Sequence, residues 1–413
     1  MKCEAQPKAS RADESDLTIA IRLPNWLGDT VMAVPALQAI ASASPRTRVV
    51  AVGPWARLLA GQGLAETCVE YPRSWSGRIR SADTVAALRP DVAVVLPNSF
   101  EAALSAWYWR AGRRIGFDTQ GRGRLLTDRL PLPCPRQHQI DEYLALAAPL
   151  DAPPLTRRPS LSIAAMGDLG DRARALLDEI GVRERPIAGM HLGAAFGPSK
   201  LWPADRIAAL CAGLRARGVT PVLLGPPTDA PIEQDVQAGL SAPVPSLIGR
   251  DTPELMPGVL AALDVLVSGD TGTAHLAAAL GVRTVTLFGP TDPDLSSPRG
   301  DSAVIVGAAP CAPCFYARCP IDHVCMRAIG VEQVLDAVLG RLFKTGDLIE
   351  MGGSVLPREL SAPGELSVGA SLIEMGGSVL SLHPHTPPPL PGPGSGGDEL
   401  RSARDLPVPG GQP

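Results

Sequence analysis

TIAIRLPNWLGDTVMAVPALQAIAS, residues 18–42, decides how the chain folds. Its first six residues form a short apolar run that reads as a strand, and its last thirteen suit a helix. Between them Pro24-Asn25-Trp26-Leu27-Gly28-Asp29 is a turn, so the order strand, turn, helix is the opening of a parallel βαβ unit. The pattern recurs. RVVAVG (48–53), TCVEYP (67–72) and VAVVLP (92–97) read as further strands, separated by segments such as WARLLAGQG and SFEAALSAWYWRAG that suit helices. A second series begins near residue 186, after a Pro-, Arg- and Asp-rich stretch (151–185) that ends in a helix and looks like a crossing between domains. IAGMHLG, TPVLLG, VPSLIG, VLVSGD and TVTLFG are its five strand candidates, with helices at PADRIAALCAGLRARG and TGTAHLAAALG.

The expected architecture is therefore α/β, two Rossmann-like domains facing across a cleft. Residues 1–17 form a polar leader, 18–170 the first domain, 171–345 the second, closed by an amphipathic helix at 331–344, and 346–413 a low-complexity tail. LIEMGGSVL occurs at 348–356 and again at 372–380, a local duplication rather than a repeat fold. From His383 onward, 15 of 31 residues are Pro or Gly, too little apolar material to offset the entropy of ordering, so the tail is expected to be disordered.

Composition excludes several functions. A formal net charge of −4 over 413 residues provides no global field for nucleic acid or an anionic membrane, so an anionic partner has to be met locally. The leader MKCEAQPKASRADESD lacks the apolar stretch of a secretory signal, and no apolar run reaches the roughly 18 residues that cross a bilayer. A soluble, cytoplasmic protein is expected. Four of eight cysteines cluster as Cys311, Cys314, Cys319 and Cys325 around His323. The cluster could hold zinc or an iron–sulfur centre, but its spacing departs from paired C-x2-C zinc patterns, and the preferred reading is packed thiols in a loop stiffened by Pro310, Pro313 and Pro320, with no metal and no cofactor.

Chemistry concentrates in the turns after strands, where ligands of doubly wound sheets bind. Asp29 stands at the start of a helix, placed either to cap it or to face the cleft as a general base. In VLVSGDTGTAHLAAAL, the run Gly269-Asp270-Thr271-Gly272 joins a buried strand to a helix whose free amides suit an anion. There Asp270 is placed to accept hydrogen bonds from sugar hydroxyls or to cap the helix, and His275 lies one turn on, beside Thr271 or in the core. The loop His191–Pro203 contributes Gly193, Ala194 and a single lysine, Lys200, a compact cation suited to phosphate. Neither a Walker loop nor a G-x-G-x-x-G in strand–helix context is present, which removes support from kinase and dehydrogenase readings. The one concentrated basic stretch with aromatics, 107–129, holds Trp107, Tyr108, Trp109, Arg110, Arg113, Arg114, Arg122, Arg124 and Arg129, either a solvated surface or a site for phosphate and carboxylate.

Four of these segments, in order, make a resemblance specific. PNWLGDTVMAVPAL, GAAFGPSKLWP, SGDTGTAHLAAALG with TLFGPTDP, and PCAPCFYARCP resemble the successive motifs of the ADP-heptose:lipopolysaccharide heptosyltransferases, type II, of glycosyltransferase family 9, over roughly residues 18–340. The resemblance implies a GT-B fold and inverting transfer of heptose from ADP-heptose to a lipid-linked lipopolysaccharide core at the inner-membrane surface, on its cytoplasmic face. Asp29 would then be the general base; Gly193, Ala194, Lys200, Asp270, Thr271, Gly272 and His275 would bind the donor; and Asn25, Arg113, Arg122 and Arg124 would meet the acceptor. This chain departs from some relatives in having Ala195 where they carry an acid, and two prolines at the start of Gly225-Pro226-Pro227-Thr228-Asp229. Two other readings stay open: a GT-B enzyme with another nucleotide sugar, and a non-catalytic nucleotide-sugar-binding protein.

Overall fold

The computed structural model describes residues 17–343, 348–351 and 354–357; the polar leader up to residue 16, the second LIEMGGSVL copy and the Pro/Gly-rich end lie outside the described residues. The first half is a parallel sheet of β1 (Leu17–Arg22), β2 (Thr47–Gly53), β3 (Thr67–Glu70), β4 (Val92–Val95), β5 (Arg113–Phe117) and β6 (Asp128–Leu130), in the spatial order β3-β2-β1-β4-β5-β6. Ile21 at its centre pairs with Ala51 on one side and Val94 on the other. Helices α1 (Leu27–Met32), α2 (Val34–Ser42), α3 (Trp75–Ala87), α4 (Phe100–Tyr108) and α5 (Gln139–Ala147) cover its two faces.

The second half is also parallel: β7 (Ile187–His191), β8 (Thr220–Leu224), β9 (Val265–Gly269), β10 (Arg283–Phe288) and β11 (Ser302–Val306), ordered β11-β10-β9-β7-β8. Its helices are α6 (Leu169–Glu179), α7 (Ala204–Arg215), α8 (Ala230–Ala238), α9 (Met256–Ala261), α10 (Gly272–Ala279), α11 (Pro293–Ser296), α12 (Val324–Ala328) and α13 (Val331–Leu342). The orders β3-β2-β1-β4-β5-β6 and β11-β10-β9-β7-β8 are the two common doubly wound arrangements, each leaving a crevice at the carboxyl ends of its strands. A hydrophobic core containing Ile21, Val31 and Ile40 of the first half continues into Leu224, Leu266 and Leu276 of the second, which joins the two sheets.

The local departures from the sequence reading have physical causes. Residues 30–42 form part of two helices, not one, because Pro35 lacks the N–H that would continue the ladder; it sits instead in the first turn of α2, where that donor is dispensable. WARLLAGQG makes a single 3-10 turn, Ala56–Leu59. VPSLIG is only bridged to the sheet edge through Ser246 opposite Leu223, since Pro245 has no amide to offer a ladder. The fifth strand of the second sheet is β11, whose outer position leaves Val304 and Val306 exposed. β5 and β6 run through the basic stretch, where arginines mask the strand pattern. Within the expected tail, β12 (Leu348–Met351) and β13 (Ser354–Pro357) pair antiparallel, so the first copy of the duplicated segment is a hairpin.

Candidate active site

Two helix amino termini meet at the carboxyl edges of the two sheets. Strand β1 ends at Arg22 and hands over to α1; β9 ends at Gly269 and hands over to α10. The helices touch because both carry glycine at the crossing. A Cβ at Gly28 would lie 3.0 Å from the His275 ring and 3.2 Å from the Gly272 Cα, and one at Gly272 would lie 2.9 Å from the Gly28 nitrogen.

Asp29 occupies the first turn of α1. Its carboxylate caps nothing and has no hydrogen-bond partner among the described residues, and the N-cap position belongs to Trp26 in extended conformation. Of the two roles open from the sequence, capping is therefore not the one adopted. Burial pushes the carboxyl up to about 6, helped by the Asp270 carboxylate and opposed by the Lys200 ammonium. Those two neighbours come from the other half of the chain, which places Asp29 opposite the expected donor residues.

Lys200 closes a 3-10 turn after β7, and its ammonium is almost fully enclosed. It donates to the Asp270 carbonyl at 3.0 Å and to Asp270 Oδ2 at 2.5 Å, and stands 4.7 Å from the Phe196 ring centroid. Thr291 Oγ1 donates to the same Asp270 oxygen at 2.8 Å. Asp270 thus fixes the lysine rather than capping α10, while the third ammonium proton remains available. Among the described residues the Gly272 and Thr273 backbone N–H groups have no backbone partner, leaving two donors at the positive end of α10. Thr271 Oγ1 is tied to Ser268 Oγ at 2.8 Å. His275 is buried, its pKa lowered to about 4 chiefly by desolvation, so it stands neutral beside Gly28. Gly193 follows β7 and lies against the Asp229 carboxylate, with Ala194 in the turn beyond it.

Asn25 is exposed at the end of β1, with Oδ1 accepting from Arg22 at 2.9 Å. The arginines of the basic stretch separate. Arg122 is fully buried, donating to the carbonyls of Phe117, Pro97 and Ser99 and to Asn98 Oδ1, so it braces the loops after β4 and β5. Arg113 opens β5 at the amino-terminal edge of the sheet, paired with Asp128 at 3.1 Å, on the opposite edge from Asp29. Arg124 is exposed in the 3-10 turn Arg122–Leu125.

Two contributors, Arg22 and Thr291, escaped the sequence reading. Arg22, only 1% exposed, lies 4.2 Å from the Tyr71 ring centroid and 3.6 Å from Glu101, and holds Asn25; a lone arginine in an apolar strand was its signal. Thr291 anchors Asp270, and nothing in TLFGPTDP marks it out. Asp251, pushed up to about 7 mainly by burial, accepts from the Gly225 amide at 3.1 Å close to Asp229. The four clustered cysteines are free thiols, and among the described residues no three His, Cys, Asp or Glu side chains gather as a metal site. No helix of the described residues is long and apolar enough to cross a membrane.

The chain is 27% identical over 312 residues to lipooligosaccharide heptosyltransferase 2 of Haemophilus influenzae, covering 70% of this chain and 88% of that protein. It is 29% identical over 310 residues to the Haemophilus ducreyi lipooligosaccharide heptosyltransferase 2, covering 70% and 88%. Among solved structures, Escherichia coli ADP-heptose lipopolysaccharide heptosyltransferase II superposes with a TM-score of 0.66 at 25% identity, over 79% of this chain and 98% of that one, and the GT-B arrangement is shared. Residues 79–325 match the family of glycosyltransferase family 9 (heptosyltransferase) as a whole, and the chain belongs to that family of glycosyltransferases.

Proposed function

We propose that this enzyme transfers a heptose from ADP-heptose to the lipid-linked inner core of lipopolysaccharide, with inversion at the anomeric carbon. The observation that carries the reading is the Asp29 carboxylate, without a hydrogen-bond partner among the described residues and with its pKa raised to about 6, standing against the amino end of α10 and Lys200. A carboxylate so placed is a base poised near neutral pH. It takes the proton of an acceptor hydroxyl as that oxygen attacks the anomeric carbon; the bond from that carbon to the diphosphate breaks, and its electron pair leaves with ADP. Charge growing on the leaving diphosphate is met by the free Gly272 and Thr273 amides, the α10 dipole and the third proton of Lys200. Asn25, oriented by buried Arg22, is placed to meet the acceptor, which works at the cytoplasmic face of the inner membrane.

Purified enzyme is expected to consume ADP-heptose when given a truncated core acceptor, and Asp29→Ala to retain ADP binding by calorimetry while losing turnover by at least about 100-fold. Turnover with a GDP- or UDP-sugar but not ADP-heptose would replace the donor; normal turnover by the variant would remove Asp29 from the base role.

A further inference from the structure

Helices α3 and α4 cover the face of the first sheet opposite α2. Inward they present Ala82, Val85, Ala102, Ala103, Ala106 and Trp109, a core of small residues around one tryptophan. Outward they carry large apolar side chains as well, set among polar ones on α3. Trp75 is 72% exposed, Ile79 56%, Phe100 50%, Leu104 42%, Trp107 54% and Tyr108 45%. The spacing i, i+4 on α3 and i, i+4, i+7, i+8 on α4 turns these side chains into stripes, about 13 Å long on the nine-residue α4. The two helices are laced together, Tyr108 donating to Asp83 Oδ1 at 2.5 Å, so the stripes belong to one surface. A helix apolar on both sides is one whose outer face meets a partner or a bilayer.

The charge around the stripes identifies the partner. Exposed Arg73, Arg80 and Arg110 pair with no acid among the described residues. Arg78 lays its guanidinium near the Trp75 and Tyr71 rings, 5.4 and 5.6 Å from their centroids. The acids on these helices are engaged, Asp83 by Tyr108 and Glu101 by Tyr71 and Arg22. Outward lie Trp, Tyr, Phe, Leu and Ile rimmed by arginines that outnumber the one exposed carboxylate of the two helices, Asp83, the composition of an interfacial surface that sinks its apolar face to headgroup depth and pairs its cations with phosphate.

We propose that the outer face of α3 and α4 docks this enzyme on an anionic bilayer. Both helices run from the carboxyl edge of the sheet, the edge that carries Asn25 and Asp29, to its amino edge, so a docked molecule lies with this face along the bilayer and its acceptor side beside it. The docking does not depend on the identity of the transferred sugar; only its purpose rests on the lipid-linked acceptor proposed above.

The test is co-sedimentation of the full chain with vesicles of phosphatidylethanolamine and phosphatidylglycerol (3:1) and with pure phosphatidylcholine. Wild type is expected to partition to the anionic vesicles at least about tenfold better, with the preference falling as salt rises. Leu104→Ser/Trp107→Ser with Ile79→Ser should lose about tenfold of that partition at unchanged Tm, and Arg73→Gln/Arg80→Gln/Arg110→Gln should lose the preference for anionic lipid. Wild type left in the supernatant, or the serine variant partitioning like wild type, overturns the proposal. So does a dimer in sedimentation velocity that the serine variant dissociates, since the surface would then be covered by a second copy. Turnover on a deacylated, water-soluble acceptor separates this from the heptose reading: the serine variant should keep it, and a failed donor assignment would abolish it in wild type while leaving vesicle binding unchanged.

Discussion

At the scale of single residues, the proposed chemistry depends on one partly buried carboxyl group. The Asp29 pKa is raised from an ordinary 3.8 to about 6, so the basic form dominates only above that value. kcat/KM should therefore rise about tenfold per pH unit below pH 6 and level off above it. The same shift makes Asp29 a burden on the fold. Because the folded pKa exceeds the unfolded one, ionisation is easier after unfolding; stability falls as pH climbs from about 4 to 6, and above that the loss is on the order of 1–3 kcal/mol. Asp29→Asn is expected to abolish turnover yet raise Tm at pH 8, with the gain vanishing near pH 4; a flat pH–rate profile together with an unchanged Tm would mean a fully solvated carboxylate. Asp29, Lys200, Thr271, Gly272 and His275 were legible in the sequence because each lies in or just after a turn that follows a strand. That Lys200 is clamped by Asp270, which Thr291 holds in turn, was not, since Asp270 lies 70 residues away from Lys200 in the chain and no local pattern encodes the pairing. Arg122 was misleading for a related reason: a cation in a basic run looks solvated until the loops it braces are seen to enclose it.

At the scale of elements, the crossing of α1 and α10 sets the distance between the proposed base and the proposed site of the leaving group. Gly272→Ala would put a methyl group 2.9 Å from the Gly28 nitrogen, a backbone atom that cannot step aside as a side chain can. The expected result is separation of the helices by a fraction of an ångström and a kcat reduced about 10- to 100-fold, with ADP affinity measured by calorimetry nearly unchanged because the α10 amides remain. An equal loss in both would show that the amide cradle itself had been disturbed, and an unchanged kcat would detach catalysis from the crossing. The elements carrying this crossing were legible because apolar runs followed by helical spacing leave little alternative to parallel units. The poorly legible ones were the edges. β5, β6 and β11 are edge or near-edge strands that tolerate charge and alternation, whereas VPSLIG had the apolar run of a strand but a proline where a ladder needs a donor.

At the scale of the whole molecule, the two halves are fastened a second time, through α5 beside the α1–α10 crossing. Asp141, in the first turn of α5, takes Arg299 from the second half at 2.7 Å and Arg157 from the crossing segment at 2.7 Å, while His138 Nε2 meets the Ser297 carbonyl at 3.0 Å. Burial tends to raise the Asp141 pKa, but the two arginines outweigh it and hold the carboxyl below its usual range. A depressed folded pKa contributes stability above the ordinary carboxylate value that is lost as pH falls through the depressed one. Each pair is partly solvated, so Asp141→Asn should cost about 1 kcal/mol and lower Tm by a few degrees at neutral pH, the difference from wild type closing below about pH 4. The functional loss should exceed the thermodynamic one, because a clamp that lets the halves drift moves Asp29 away from the diphosphate cradle, and reacting groups misplaced by about 1 Å forfeit rates on the order of 100-fold. A variant with lowered Tm but wild-type kcat would show that the shared apolar core alone keeps the two halves in register.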